Sequence, residues 1–155
     1  PGKILSEFSN EGYEGLDVTR MGIYKSAIEL IKENPFFGIG AGSFTEIFFL
    51  NTNFWKGHSH NLLFELSISY GLPATIIFFI TNINILYLSS KKIFINKKII
   101  DIPYIDRAFW SALFFFLISQ LADVQYFDGK ISLITWILIA GLKNIISDKK
   151  YTVLA

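Results

Sequence analysis

A chain of 155 residues is long enough for one domain, but 52% of it is hydrophobic and 17% aromatic, with 16 phenylalanines, and these side chains come in blocks. Such grouping predicts helices that cross a bilayer and argues against the core of a water-soluble domain. A net charge of +1 supplies no field that would gather nucleic acid, and the absence of cysteine excludes disulfides, thiolate nucleophiles and thiolate metal sites.

The chain opens at Pro1, has its one methionine at Met21 and shows no signal-peptide pattern, so we expect the C-terminal part of a longer protein. Residues 1 to 17 are polar, with Gly2, Gly12 and Gly15 among Glu7, Glu11, Glu14 and Asp17, and read as the end of an extramembrane loop. From Val18 to Glu33, Met21, Tyr24, Ile28 and Ile31 recur at helical spacing, with Asp17 or Thr19 as cap and Asn34-Pro35 as stop. This predicts an amphipathic helix of about four turns. Arg20 falls in its first turn, where a cation opposes the helix dipole unless an anion sits nearby.

The run Pro35-Phe36-Phe37-Gly38-Ile39-Gly40-Ala41-Gly42 lacks the third glycine of the dinucleotide fingerprint and has no strand ahead of it. Its glycines predict a tight turn that brings the backbone close to another element or to a phosphate. Ser43-Phe44-Thr45-Glu46 fits a capping box opening a short helix toward Leu50. Phe48, Phe49, Phe54 and Trp55 then place aromatic bulk where a membrane interface or a sugar ring would use it.

The segment Trp55-Lys56-Gly57-His58-Ser59-His60-Asn61 holds both histidines of the chain at the mouth of a long apolar run. Imidazole exchanges protons near neutral pH, and a helix capped by Ser59 or Asn61 would set its positive end beside His60 and favour the neutral ring a general base needs. A polar cap at a membrane interface accounts for the same residues without chemistry. His58-x-His60 with Glu65 also meets a first test for zinc. We expect no metal, because the two rings point to opposite sides of an extended segment and no H-E-x-x-H pattern anchors a third ligand.

Asn61 to about Ser89 is the first expected span, kinked near Gly71 and Pro73, with Asn82 and Asn84 deep in it and bonding to neighbouring helices. Lys91-Lys92, Lys97-Lys98 and Arg107 form a basic loop, Ala108 to Ala122 a second span and Ile131 to Ile146 a third, which ends near Lys143, Lys149 and Lys150. The positive-inside rule puts these clusters in the cytoplasm and His60 outside. The expected fold is all-α, a polytopic membrane bundle with three spans over residues 61–155, preceded by an outer loop region, residues 1–60, that carries the amphipathic helix.

His60-Asn61, nine residues, then Gly71, preceded by the Arg20 helix and by the 35–42 run, resembles the signature of the O-antigen ligase and O-antigen polymerase family of bacterial membrane proteins. The similarity covers about residues 20 to 90, and Ala74 and Thr75 stand where the family usually continues with a small residue or glycine. The resemblance implies an inner-membrane glycosyltransferase, with residues 1–60 in the periplasm. It would need neither metal nor cofactor, taking a polyprenyl-diphosphate-linked glycan as donor and a lipid A core or a glycan as acceptor. It also implies roles: His60 and Arg20 in catalysis, with Arg20, His58, Asn61, Lys56 and Glu65 around the substrate. Guanidinium suits the diphosphate because its planar donors fork onto phosphate oxygens. Ligase and polymerase share these residues. A transporter or assembly subunit lined by Asn82, Asn84, Gln120 and Asp123 is the reading from a different class.

Overall fold

The computed structural model describes residues 19–95 and 104–148, and every element among them is helical. The helices are α1 (Arg20–Glu33), α2 (Ser43–Thr52), α3 (Leu62–Ser90, continued by a π-helical turn Lys91–Ile95), α4 (Tyr104–Ser119) and α5 (Gly129–Ser147). The polar stretch 1–17 and the lysine pairs at 97–98 and 149–150 lie outside the described residues. The chain forms two compact units, and it passes from the first to the second within α3, after Ile76.

Unit 1 comprises α1, α2, the start of α3 and Leu121–Val124. Thr19 caps α1, its Oγ1 accepting the Gly22 N–H at 3.2 Å, and Asn34 closes it just before Pro35, which disfavours helical backbone in its predecessor. The buried stripe is Ile23, Ala27 and Ile31, one residue every turn, whereas the expected Met21 and Ile28 are 57% and 40% exposed. That stripe packs with Phe44, Phe48 and Ile68, with Tyr24, Leu30, Ile39 and Phe64 at its margin. Phe44 and Phe48 are both fully buried, and truncating either to alanine would cost about 3–5 kcal/mol. The expected capping box of α2 does not form. Gly42, in the left-handed region, precedes the helix, and Ser43 is already helical, its hydroxyl donating back to Ile39 O at 2.9 Å.

The helix α3 is interrupted at Gly71, whose φ of 84° and ψ of 164° are not helical. The interruption is stitched to the loop after α1: Ile39 N–H bonds to Ile68 O at 2.7 Å, Gly40 N–H to Ser69 O at 3.1 Å, and Leu72 N–H to Pro35 O at 2.8 Å. Carbonyls that a broken helix would leave unpaired therefore find donors. Gly38 and Gly71 are the residues where the two backbones meet, and a Cβ on either would overlap Ile68 O or Phe36 O. Pro73 falls in the first turn after the break, where its missing N–H is not needed. The expected kink is thus present, and Gly71 makes it.

Unit 2 contains the remainder of α3 with α4 and α5. Its core is Ile93, Leu113, Ile139, Leu142 and Ile145. Trp110 Nε1 donates to Leu86 O at 2.9 Å, and Gly141 leaves room for the Phe109 ring, which a Cβ there would overlap. Among the described helices two are long and apolar enough to cross a membrane, residues 62–94 and 129–147, where the sequence led us to expect three. The shortfall is α4: 16 residues rise about 24 Å, less than the roughly 30 Å of a hydrocarbon core. The asparagines also depart from expectation. Asn82 is buried but its Nδ2 bonds to Phe78 O of its own helix, and Asn84 is exposed.

Candidate functional site

The loop between α2 and α3 folds so that its polar groups bind one another. Thr45 Oγ1 on α2 donates to Gly57 O at 2.9 Å. Ser59, fully buried, gives its N–H to Glu65 Oε2 at 2.8 Å and its hydroxyl to Asn61 O at 3.1 Å. His60 then turns into the left-handed region with φ 54°, and its N–H bonds to Nδ1 of His58 at 3.1 Å. The turn is the reason the rings do not point to opposite sides as an extended segment would have them. Their centroids are 4.5 Å apart at 71°.

Asn61 opens α3, its Oδ1 accepting the N–H groups of Leu63 at 2.9 Å and Phe64 at 3.4 Å. Its Nδ2 reaches Leu121 O at 3.0 Å. One amide therefore caps a helix and fastens the segment 121–124 beside His60. That segment carries Asp123, whose Oδ1 lies 3.1 Å from His60 Nδ1 and 3.6 Å from His58 Nε2 and also accepts the Val124 N–H at 3.0 Å. Arg20 reaches the same segment from α1, Nη1 to Ala122 O at 3.1 Å. One turn further along α1, Tyr24 directs its hydroxyl to His60 O at 3.5 Å, so positions 20 and 24 present a single helix face to the site.

The hydrogen bonds fix the tautomers. A His58 Nδ1 that accepts an N–H carries its own proton on Nε2, facing Asp123. Asp123 as a carboxylate accepts the Nδ1–H of His60, so that in a neutral His60 ring the lone pair lies on Nε2. Burial, reinforced by His60, holds His58 below its ordinary value of 6.5, with Asp123 and Glu65 pulling the other way. At Asp123 partial burial raises the pKa, but the His60 hydrogen bond, the Val124 N–H and the two imidazoles outweigh it, and the carboxyl lies below its ordinary range. His58 is therefore neutral and Asp123 ionised at pH 7.

Four of the expected site residues, Arg20, His58, His60 and Asn61, converge on residues 121–123. Glu65 is 4% exposed and its Oε2 is taken by the Ser59 N–H, so it braces the loop from beneath. Lys56 is half-buried and makes no hydrogen bond or ion pair among the described residues. Asp123 was expected only as part of a transport path, and its pairing with His60 is the component that sequence reasoning missed. The available signal was an ionisable residue at the outer end of an apolar segment. His58, His60 and Asp123 offer three ligand atoms within 4.8 Å of one another, the set a divalent ion would use. To bind there through Nε2, His58 would have to move its proton to Nδ1 and give up the bond from His60 N–H.

Residues 3–79 match a family model described as O-antigen ligase. That stretch, just under half of the chain, is an O-antigen ligase family segment. The match takes in α1, α2, the histidine loop and the break in α3, and it stops short of Asp123. No curated protein and no solved structure matches the chain. The match to the O-antigen ligase family supports, at a coarse level, a role in surface-polysaccharide synthesis, a glycosyltransferase-like chemistry and lipid-linked glycans in a membrane as the class of substrate.

Proposed function

We propose that this chain carries the catalytic end of an enzyme that moves a glycan from a polyprenyl diphosphate to a hydroxyl of a lipid A core or of another glycan. The observation that carries the reading is the 3.1 Å pair of His60 Nδ1 and Asp123 Oδ1, which leaves Nε2 of a tethered imidazole as the free base. The acceptor hydroxyl gives its proton to that nitrogen while its oxygen forms a bond to the anomeric carbon. The bond from that carbon to the diphosphate oxygen breaks, and the polyprenyl diphosphate departs with the electron pair. Attack opposite the leaving group inverts the anomeric centre. Arg20, held beside Asp123 by the Ala122 carbonyl, would steady the charge that develops on the diphosphate, and Lys56 could add a second cation. Asn61 and Glu65 serve by holding the segments in place.

The histidines function here without a metal, since His58 keeps its Nδ1 as an acceptor; dialysis against a chelator is expected to leave activity unchanged. The same reading puts the histidine loop in the bacterial periplasm and the C-terminus in the cytoplasm, with Lys91, Lys92 and Lys143 at the inner face. For the transporter alternative, Asn82 Nδ2 bonds within its own helix and Gln120 Oε1 accepts the N–H groups of Gln125 and Tyr126, while Asn82 Oδ1 and Gln120 Nε2 are buried without a hydrogen-bond partner among the described residues, so that reading rests on these two atoms. The test is complementation by the full-length protein in a strain lacking its surface-glycan ligase or polymerase, comparing wild type with His60→Ala and Arg20→Ala at matched membrane levels. Loss of glycan ladders in both supports the reading, and the form that remains separates ligase from polymerase. Ladders retained in His60→Ala would sink it.

A further inference from the structure

Phe36 and Phe37 stand 70% and 90% exposed at the tip of the loop that is stitched into the break of α3. Three backbone hydrogen bonds and two glycines that admit no side chain fix the backbone on either side of them, so their exposure is built in. The run 35–42 contains no charged residue, although α1 ends in Lys32 and Glu33 immediately before it. Rigid, uncharged and doubly aromatic, the tip has the composition of a group made for a nonpolar neighbour.

Its position on α3 identifies that neighbour. A hydrocarbon core takes about 20 helical residues, and counting back from the basic end of the helix at Lys91 reaches Gly71, the break itself. The surface of α3 changes character at the same residue. Before it Glu65, Ser67 and Ser69 are buried inside unit 1; after it Leu72, Ile76, Ile77, Ile80 and Ile83 are exposed and apolar. Tyr70, 47% exposed, marks the boundary with the amphipathic ring favoured at membrane interfaces. The loop is therefore docked at the level where hydrocarbon begins.

We infer that Phe36 and Phe37 form a lipid-inserted wedge, an extramembrane loop seated in the α3 break with its two rings in the outer interfacial layer of the bilayer. The inference rests on α3 crossing the membrane. The wedge leads directly out of α1, which carries Arg20 and Tyr24, and so ties the site to the lipid surface from a second side. The first half of α3 holds the histidine loop no more than about 14 Å from the hydrocarbon edge, a height suited to substrates that are themselves anchored in lipid.

This chain has no cysteine, so single substitutions can carry a nitroxide without background from it. The full-length protein would be labelled at Phe36→Cys or Phe37→Cys, reconstituted in phosphatidylethanolamine and phosphatidylglycerol bilayers, and power saturation would compare collisions with oxygen and with a water-soluble nickel chelate. Ile80→Cys, within α3, and Lys25→Cys, exposed on α1, are the lipid and water references. The expected result is an oxygen-to-nickel ratio at both wedge positions severalfold above that at Lys25 and approaching that at Ile80. A nickel-favouring ratio at Phe36 and Phe37 with Ile80 in lipid overturns the wedge and leaves the span intact. Labels shielded from both reagents also overturn it, by placing another protein surface on the loop, and a nickel-favouring ratio at Ile80 removes the span and the wedge together.

Discussion

At His60 a φ of 54° turns the backbone so that its N–H reaches His58, and a chain of consequences for both imidazoles starts from that one torsion. His58 becomes a positioning residue with its Nε2–H toward Asp123, and His60 presents Nδ1–H to the same oxygen. Asp123→Asn keeps an oxygen for His60 but removes the charge that would stabilise imidazolium. Transfer is expected to fall by a factor on the order of 10² or more, with unchanged membrane levels because the Asp123 side chain is 49% exposed, measured as product formed by purified protein from a lipid-linked donor. The loop should also respond to pH. His58 has a lower pKa folded than unfolded, so the unfolded chain binds the proton first as pH falls, and stability drops below the ordinary value of 6.5. Protonated Nδ1 can no longer accept the His60 N–H. The protection factor of the His60 amide, its exchange rate relative to the intrinsic one, is expected to fall from pH 7.5 to 5.5, and His58→Asn, which keeps an acceptor near the Nδ1 position without a titration, should remove that fall. Of these features the sequence made the residue types legible, together with the capping by Asn61. It hid the turn, because a left-handed histidine is set by partners at Glu65, His58 and Asp123 and not by local propensity.

The elements show the same division between local and distant causes. Hydrophobic periodicity and the Asn34-Pro35 stop were enough to place α1, and the apolar run from Asn61 was enough to place α3, since both signals lie within the element. The joint between them was not legible, because its hydrogen bonds run between residues 35–40 and 68–72. The sequence points to Gly71 and Pro73 together as the kink, with proline as its stated cause, and the non-helical torsion belongs to Gly71. Three glycines of this region let strain and collision be separated. Gly42 has φ 78° with open space where a side chain would begin, so Gly42→Ala carries the torsional cost alone, about 1–3 kcal/mol. At Gly38, with φ 66°, the new methyl also strikes Ile68 O, and at Gly71 it strikes Phe36 O while the backbone, φ 84° and ψ 164°, is one that essentially only glycine adopts, so Gly71→Ala adds a larger torsional cost to the collision. Thermal unfolding in detergent is expected to rank Gly42→Ala clearly above both, with Pro73→Ala close to wild type. Equal melting points for the three glycine variants would mean that the loop does not seat in the break.

For the whole molecule the question is how residues 63 positions apart come to share a proton. The histidine loop and residues 121–124 belong to one unit, and Asn61 at the start of α3 holds Leu121 O, so the chain must return to the end of α3 from which it left. If α3 carries it across the membrane, the return between Lys91 and Leu121 has to cross back, and α4 is the helix available among the described residues. By length α4 falls short of a full crossing, so a crossing through it calls for a locally thinned bilayer. The two demands meet in one expectation about sidedness. In a chain without cysteine, Ala122→Cys and Lys56→Cys should react with a membrane-impermeant maleimide from the same face in intact cells, whereas Lys91→Cys and Lys143→Cys should react only after permeabilisation. Ala122 is exposed in its side chain and engaged only through its carbonyl, so the substitution leaves the Arg20 contact in place. Labelling of Ala122→Cys together with Lys91→Cys would put Asp123 across the membrane from His60, and the His60–Asp123 pair could not exist in the folded protein. Labelling of Ala122→Cys with Lys56→Cys requires the crossing that hydropathy alone does not grant to α4, and makes the His60–Asp123 hydrogen bond the reason for it.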